Sequence, residues 1–245
     1  MKTLCILLLS SICALAGMPP GNNYGLKYGL VGRWVLNEGS GVVSSDSSGL
    51  GNLCMLSNTP TWTKGVVGGA ISLNGTSQYL VVSNCPLTFS QSANFTTSAW
   101  WYFPNLPNQR CELTPSLIFT PGAANYSADI YLSSTNTLVL NLSAAGYANL
   151  VYPITNLITI NQWILVTFVN IGSTGYLYTN GSFCISGNAV PSANPNSKSS
   201  FTQGCYNYSG PAAFALGICD DFAVWNRALS AAEILQLYNG GIGSP

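Results

Sequence analysis

The sequence predicts an all-β protein: an antiparallel two-sheet sandwich of jelly-roll type, closed by one short C-terminal helix. Three observations predict it. Helical periodicity is absent before residue 230. Up to there, short runs of β-branched and aromatic residues are punctuated by Gly, Pro, Asn and Ser. A dozen or so such runs without intervening helices leave an antiparallel sandwich or jelly roll as the architecture, and 245 residues suit a single domain of that kind.

The elements follow in chain order. Residues 1–16 read as a signal peptide: Lys2 supplies the positive start, residues 4–15 are apolar, and Ala14-Leu15-Ala16 has the small-x-small form that precedes cleavage, here before Gly17. The apolar run is too short to span a bilayer, which takes about 20 residues. A secreted chain with no membrane span after cleavage is therefore expected. A lead segment, 17–29, precedes the domain at 30–241, and 242–245 form a tail. Residues 30–36 predict the first strand, with Trp34 and Leu36 on one face and Arg33 and Val35 on the other. Residues 69–74 alternate, turn at Asn74-Gly75 and resume at 78–82. Further strands are expected at 95–103, 116–120, 128–132, 137–142, 163–170 and 214–225. Residues 175–185 predict a hairpin, because Asn180-Gly181 accepts the positive φ of a type I′ turn between alternating segments. At 230–241, Ser230 and Glu233 form a capping box, Ile234, Leu235 and Tyr238 an apolar stripe, and Asn239-Gly240 a stop.

Composition removes several function classes. Seven Lys plus Arg balance seven Asp plus Glu, and charged residues make up 6% of the chain against about 25% in ordinary domains. Seven scattered cations cannot displace phosphate counterions, so no nucleic-acid partner is expected. There is no His, which removes the imidazole base and the His metal ligand.

Cleavage leaves six cysteines, Cys54, Cys85, Cys111, Cys184, Cys205 and Cys219. An even number in an exported chain predicts three disulfides, with the pairing left open. Zinc is excluded because no two cysteines lie two to four residues apart. Sequons begin at Asn74, Asn94, Asn125, Asn141, Asn180 and Asn207, candidate glycosylation sites in a eukaryotic host.

The stretch Leu30-Val-Gly-Arg-Trp34-Val-Leu-Asn-Glu38, with Asp46-Ser-Ser-Gly49-Leu-Gly-Asn52, resembles the start of LamG-like, concanavalin A-like jelly rolls. Gly68-Gly69-Ala70-Ile-Ser-Leu-Asn-Gly75, Phe95-Thr-Thr-Ser-Ala-Trp100-Trp101 and Asp220-Asp221-Phe-Ala-Val-Trp-Asn226-Arg227-Ala-Leu-Ser230 resemble that family in its order. The chain departs from it near Trp163, where relatives carry a His, and at 104–115, which reads as an insertion. The resemblance implies a recognition module for extracellular glycans or glycoproteins.

Glycoside hydrolysis needs two facing carboxylates, and the chain has no E-x-D or E-x-E pair. Asp220 and Asp221 are adjacent on a strand, which points them to opposite faces. No catalytic residue is assigned and no enzyme is expected. Asp220 alternates with Ile218, Phe222 and Val224, so it is expected at the core edge, where a carboxylate needs a partner or a cation. The resemblance implies a structural Ca²⁺ between the Asp46–Asn52 loop and the Asp-Asp strand, so Asp46, Asn52, Asp220 and Asp221 are the candidate ligands. The alternative is that Asp46 forms an Asx turn and Asp220 accepts backbone amides. Sugars stack on exposed aromatic rings. One of Trp100 and Trp101 must leave the core side, so Trp101, Tyr126, Tyr131, Tyr206 and Tyr208 are the candidate platform. The charge deficit also favours association, so a homo-oligomer or extracellular filament is the alternative function.

Overall fold

The computed structural model describes residues 25–83, 94–107, 111–114, 116–118, 127–133, 137–143, 150–153, 158–172, 174–188, 201–207 and 211–239. Its elements are β1 (Leu30–Trp34), β2 (Val43–Ser44), β3 (Cys54–Ser57), β4 (Thr61–Lys64), β5 (Gly69–Asn74), β6 (Tyr79–Val82), β7 (Phe95–Tyr102), β8 (Cys111–Glu112), β9 (Ser116–Ile118) and β10 (Ser127–Leu132). There follow β11 (Thr137–Ser143), β12 (Leu150–Pro153), β13 (Trp163–Ile171), β14 (Thr174–Thr179), β15 (Ser182–Asn188), β16 (Phe201–Gln203), β17 (Tyr206–Asn207), β18 (Pro211–Ala212), β19 (Leu216–Trp225) and α1 (Ala231–Tyr238).

The first sheet runs β15-β14-β13-β7-β19-β5-β4, with β1 also on β19. The second runs β12-β11-β10-β9-β16-β6-β3-β2, with β8 on β10, and β17 pairs with β18 apart from both. All these pairings are antiparallel. The chain is thus a two-sheet sandwich with one helix among the described residues, as its alternation predicts. β3, β4, β12 and β16 were not legible: they take their conformation from pairing with strands outside their own short windows.

The core lies between the sheets. Trp34 stacks on Phe222 at 4.7 Å and meets Phe201 of the second sheet edge-on at 5.4 Å. Ile164, Val166 and Phe168 of β13 point into this core. Val169, Tyr178, Ala223 and Trp225 instead form a second cluster on the outer face of the first sheet, under Leu229 and Ile234. Strands β7 and β13 are therefore buried on both faces; β13 reads as a nearly unbroken apolar run, while β7 carries the buried polar residues Thr96, Thr97 and Ser98.

Helix α1 closes that outer face, and its start is built as its sequence predicts. Ser230 Oγ accepts from the Glu233 amide, while a Glu233 carboxylate oxygen accepts from the Ser230 amide at 2.9 Å. Asn239, at φ 45°, ends it in the left-handed region. The β14–β15 turn has positive φ at both Asn180 and Gly181, as a type I′ turn requires.

One local expectation fails. The β19–β7 register shifts between Asp220 and Ala223, and Asp221 has φ 39°. This bulge advances the face on which later residues lie. Cys219, Phe222 and Val224 accordingly point into the main core, so Asp220 does not share a face with Phe222 and Val224.

Candidate functional site

Arg33 organises one end of the outer face. Its strand, β1, lies against β19, which sets the guanidinium beside the bulge: Nε donates to Asp221 Oδ1 at 2.7 Å and Nη2 to Oδ2 at 2.8 Å. That hydrogen bonding outweighs burial and raises the guanidinium above its ordinary pKa. The Arg33 amide donates to Asp46 Oδ1 at 3.1 Å. Asp46 also accepts from the Ser48 amide (2.8 Å), Ser48 Oγ (2.8 Å), the Asn52 amide (3.0 Å) and Asn52 Nδ2 (3.2 Å). The Asn52 carbonyl accepts from the Trp34 indole at 2.7 Å.

The four candidate metal ligands do not fit a calcium site. Both Asp46 oxygens are taken by N–H and O–H donors, the Asx-turn alternative, and Asp221 is neutralised by Arg33. Ca²⁺ needs six to eight oxygens with lone pairs to spare. No three Cys, Asp or Glu among the described residues group as a metal would require. Asp220 Oδ2 accepts from the Val66 and Val67 amides at 2.8 and 3.2 Å, under the turn between β4 and β5, while its buried Oδ1 has no hydrogen-bond partner. Burial pushes the Asp220 carboxyl up to about 7.

The aromatic platform also needs correction. Trp101 is fully buried and its indole donates to the Leu113 carbonyl, so it offers no face to a ligand. Trp100 does leave the core side, but α1 covers it: Trp100 stacks on Tyr238 at 5.8 Å. Tyr131 is half-buried on β10 and Tyr206 lies in β17. Tyr126 and Tyr208 lie outside the described residues. Sequence reasoning missed Phe183, which is exposed and sits 5.6 Å from Tyr178 and 6.5 Å from Tyr176. Alternation with core-packed Ile185 would turn Phe183 inward; the register shift between β14 and β15 at Leu177 and Tyr178 turns it out.

The predicted disulfides are absent from the described residues. Cys54, Cys111, Cys184, Cys205 and Cys219 are free thiols, and all but Cys184 are buried. They pack as small apolar side chains, and burial raises each thiol's pKa, that of Cys205 to about 12. Cys85 lies outside the described residues. Among the sequons, Asn74 and Asn94 are exposed and Asn180 is half-buried in its turn. Asn141 lies in β11 and Asn207 in β17, while Asn125 lies outside the described residues, as does the signal segment.

A hollow of about 220 Å³ opens beside the Arg33–Asp221 pair. Its floor is the outer face of the first sheet: Ser98 and Trp100 of β7, Leu165 of β13, and Ala223 and Trp225 of β19. Ser47 and Ser48 stand on one side and Leu237 of α1 on another, with Lys27 and Ser47 exposed at the rim. The frame is firmly tied. Trp225 Nε1 donates to the Leu26 carbonyl at 2.7 Å, and Arg227 donates to the Tyr28 and Gly25 carbonyls and to both Glu233 oxygens. Burial raises Glu233, but the Arg227 and Ser230 hydrogen bonds together carry it below its ordinary pKa. An aromatic and aliphatic floor with a few fixed polar groups is what small-ligand pockets have in common.

Comparison with known proteins gives the lineage. A family model described as the concanavalin A-like lectin/glucanases superfamily matches residues 74–235. No curated protein matches. Among solved structures, the binding domain of Paraclostridial Mosquitocidal Protein 1 superposes with TM-score 0.67 at 20% identity, over 87% of this chain and 52% of that one. Trypanosoma rangeli sialidase in complex with sialic acid gives 0.65 at 18%, over 89% and 34%. Domain 4 of AbnA, a GH43 extracellular arabinanase from Geobacillus stearothermophilus, in complex with arabinotriose, gives 0.58 at 17%, over 84% and 97%. The chain thus spans about half the length of the binding domains it matches, and at these identities the likeness shows the fold alone.

Proposed function

The chain belongs to the concanavalin A-like lectin/glucanases superfamily, and on that premise we propose that it is a secreted, non-catalytic recognition module for extracellular glycans or glycoproteins. One observation carries the non-catalytic part. Three of the seven carboxylates are held by the protein's own donors, Asp46 by its loop, Asp221 by Arg33, and Glu233 by Arg227 and the helix cap, and Asp220 is fully buried. Retaining or inverting hydrolysis takes two carboxyl groups about 5–9.5 Å apart with room for sugar between them. Two similar structures, the binding domain of Paraclostridial Mosquitocidal Protein 1 and the arabinanase domain in complex with arabinotriose, support recognition.

The experiment is a glycan array probed with the secreted protein, alongside hydrolysis assays on the glycans it retains. Retention without turnover is expected; turnover lost on replacing any carboxylate would overturn the reading. A second reading, a self-associating subunit, draws on the 6% charged composition and on exposed Val42, Leu50, Leu53 and Met55 at and beside the edge that β2 and β3 form. Size-exclusion chromatography separates the two, because discrete monomers remove the second.

A further inference from the structure

We propose that the hollow beside Arg33 and Asp221 is the ligand site, and that it takes one neutral, chain-terminal sugar ring. This rests on the recognition function proposed above and gives it a place.

Size sets the first limit. Pockets for drug-sized ligands run to roughly 300–1,000 Å³, and this one is about 220 Å³. It has room for a single ring, with the next residue of a glycan leaving past the exposed rim at Lys27 and Ser47.

The lining sets the chemistry. Leu26, Leu30 and Leu237, half-buried in the lining, give apolar walls for the C–H face of a ring, over a floor in which Trp100, Leu165, Ala223 and Trp225 are themselves nearly covered. Each Asp221 oxygen accepts one Arg33 N–H, and a carboxylate oxygen can accept a second donor. Ser98 Oγ shares one hydrogen bond with Thr167 Oγ1 at 2.9 Å and keeps an acceptor lone pair. Adjacent hydroxyls of a sugar supply the donors these acceptors require.

Charge sets the class. Arg33 and Asp221 cancel within the wall, which leaves Lys27, exposed at the rim, as the other charged group of the lining. A neutral polyol loses little by entering; a carboxylate would be desolvated against Asp221.

The site is also rigid before a ligand arrives. The Trp225–Leu26 hydrogen bond and the Arg227 ties to Tyr28, Gly25 and Glu233 hold three of its sides, so little ordering accompanies binding.

The test uses the full secreted chain with methyl glycosides of neutral hexoses and pentoses, and methyl glucuronide as the charged counterpart, followed by saturation-transfer NMR. Ser47→Trp plugs the mouth from an exposed position, and Asp221→Asn removes the charged acceptor. Transfer to at least one neutral glycoside is expected, lost in S47W at unchanged melting temperature and weakened about tenfold or more in D221N. Preference for the glucuronide would overturn the neutral class. Wild-type and both variants retaining the same glycans on the array would overturn the site and leave the recognition function standing. No glycan retained by the wild-type protein would overturn both.

Discussion

Asp220 shows what a single buried carboxyl does to this fold. One oxygen holds the Val66 and Val67 amides; the other is buried without a partner, with Asp221 and Arg33 as its charged neighbours. Its carboxyl is raised from 3.8 to about 7. Between those values the native state keeps a proton that the unfolded chain has lost. Stability is therefore lost as pH rises through that window and levels off above it, with a slope approaching about 1.4 kcal/mol per pH unit. Glu233, shifted the other way, acts below its ordinary value of 4.5, so it does not contribute above pH 5. Urea midpoints from pH 5 to 8 should fall more steeply for the wild type than for Asp220→Asn; parallel profiles would contradict this. The candidate carboxylates were legible in the sequence as residues that need partners. Which partner each found was not. Asp221 pairs with an arginine 188 residues away, a distance at which no local pattern operates, and the bulge that permits it has no signature in Asp220-Asp221 itself. Trp101 was misplaced for a similar reason: alternation shows that neighbouring tryptophans face opposite ways, but not which face the helix will cover.

Helix α1 was fully legible because its determinants are local. Ser230, Glu233 and Asn239 lie within one short stretch and each satisfies a backbone group of the same helix. Ser230→Ala should cost about 1 kcal/mol. It should also raise the amide exchange of residues 231–238 above that of β13, because α1 shields Trp100 through Tyr238. Equal protection of helix and strand would show that packing alone holds it. The turn at Asn180-Gly181 was equally readable. The shortest strands were not: β3, β4 and β16 take their conformation from pairing with partners such as Ser72, Val81 and Val82, which no short window contains.

Across the whole molecule, apolar and aromatic packing replaces the devices the composition led one to expect. Four of the five described thiols are buried at or near full depth. Native protein should leave Cys54, Cys111, Cys205 and Cys219 unreactive toward Ellman's reagent and release them in guanidinium; prompt native reaction would contradict their burial. Calcium should likewise leave the melting temperature unchanged, because Asp46 is already held by its loop's donors and Asp221 is already neutralised by Arg33. A rise on adding Ca²⁺, reversed by EDTA, would restore the metal site. The hollow itself was not foreseeable, since β1, β7, β13, β19, α1, the 47–48 loop and the segment before β1 all contribute to it.

The most direct test is one NMR experiment: a mixture of oligosaccharides is incubated with the full chain, saturation transfer is recorded, and the anomeric region is followed over days. Transfer to the terminal ring of an oligosaccharide, with no new reducing-end signal, is the predicted result. New anomeric resonances, or no transfer to any sugar, would contradict the account.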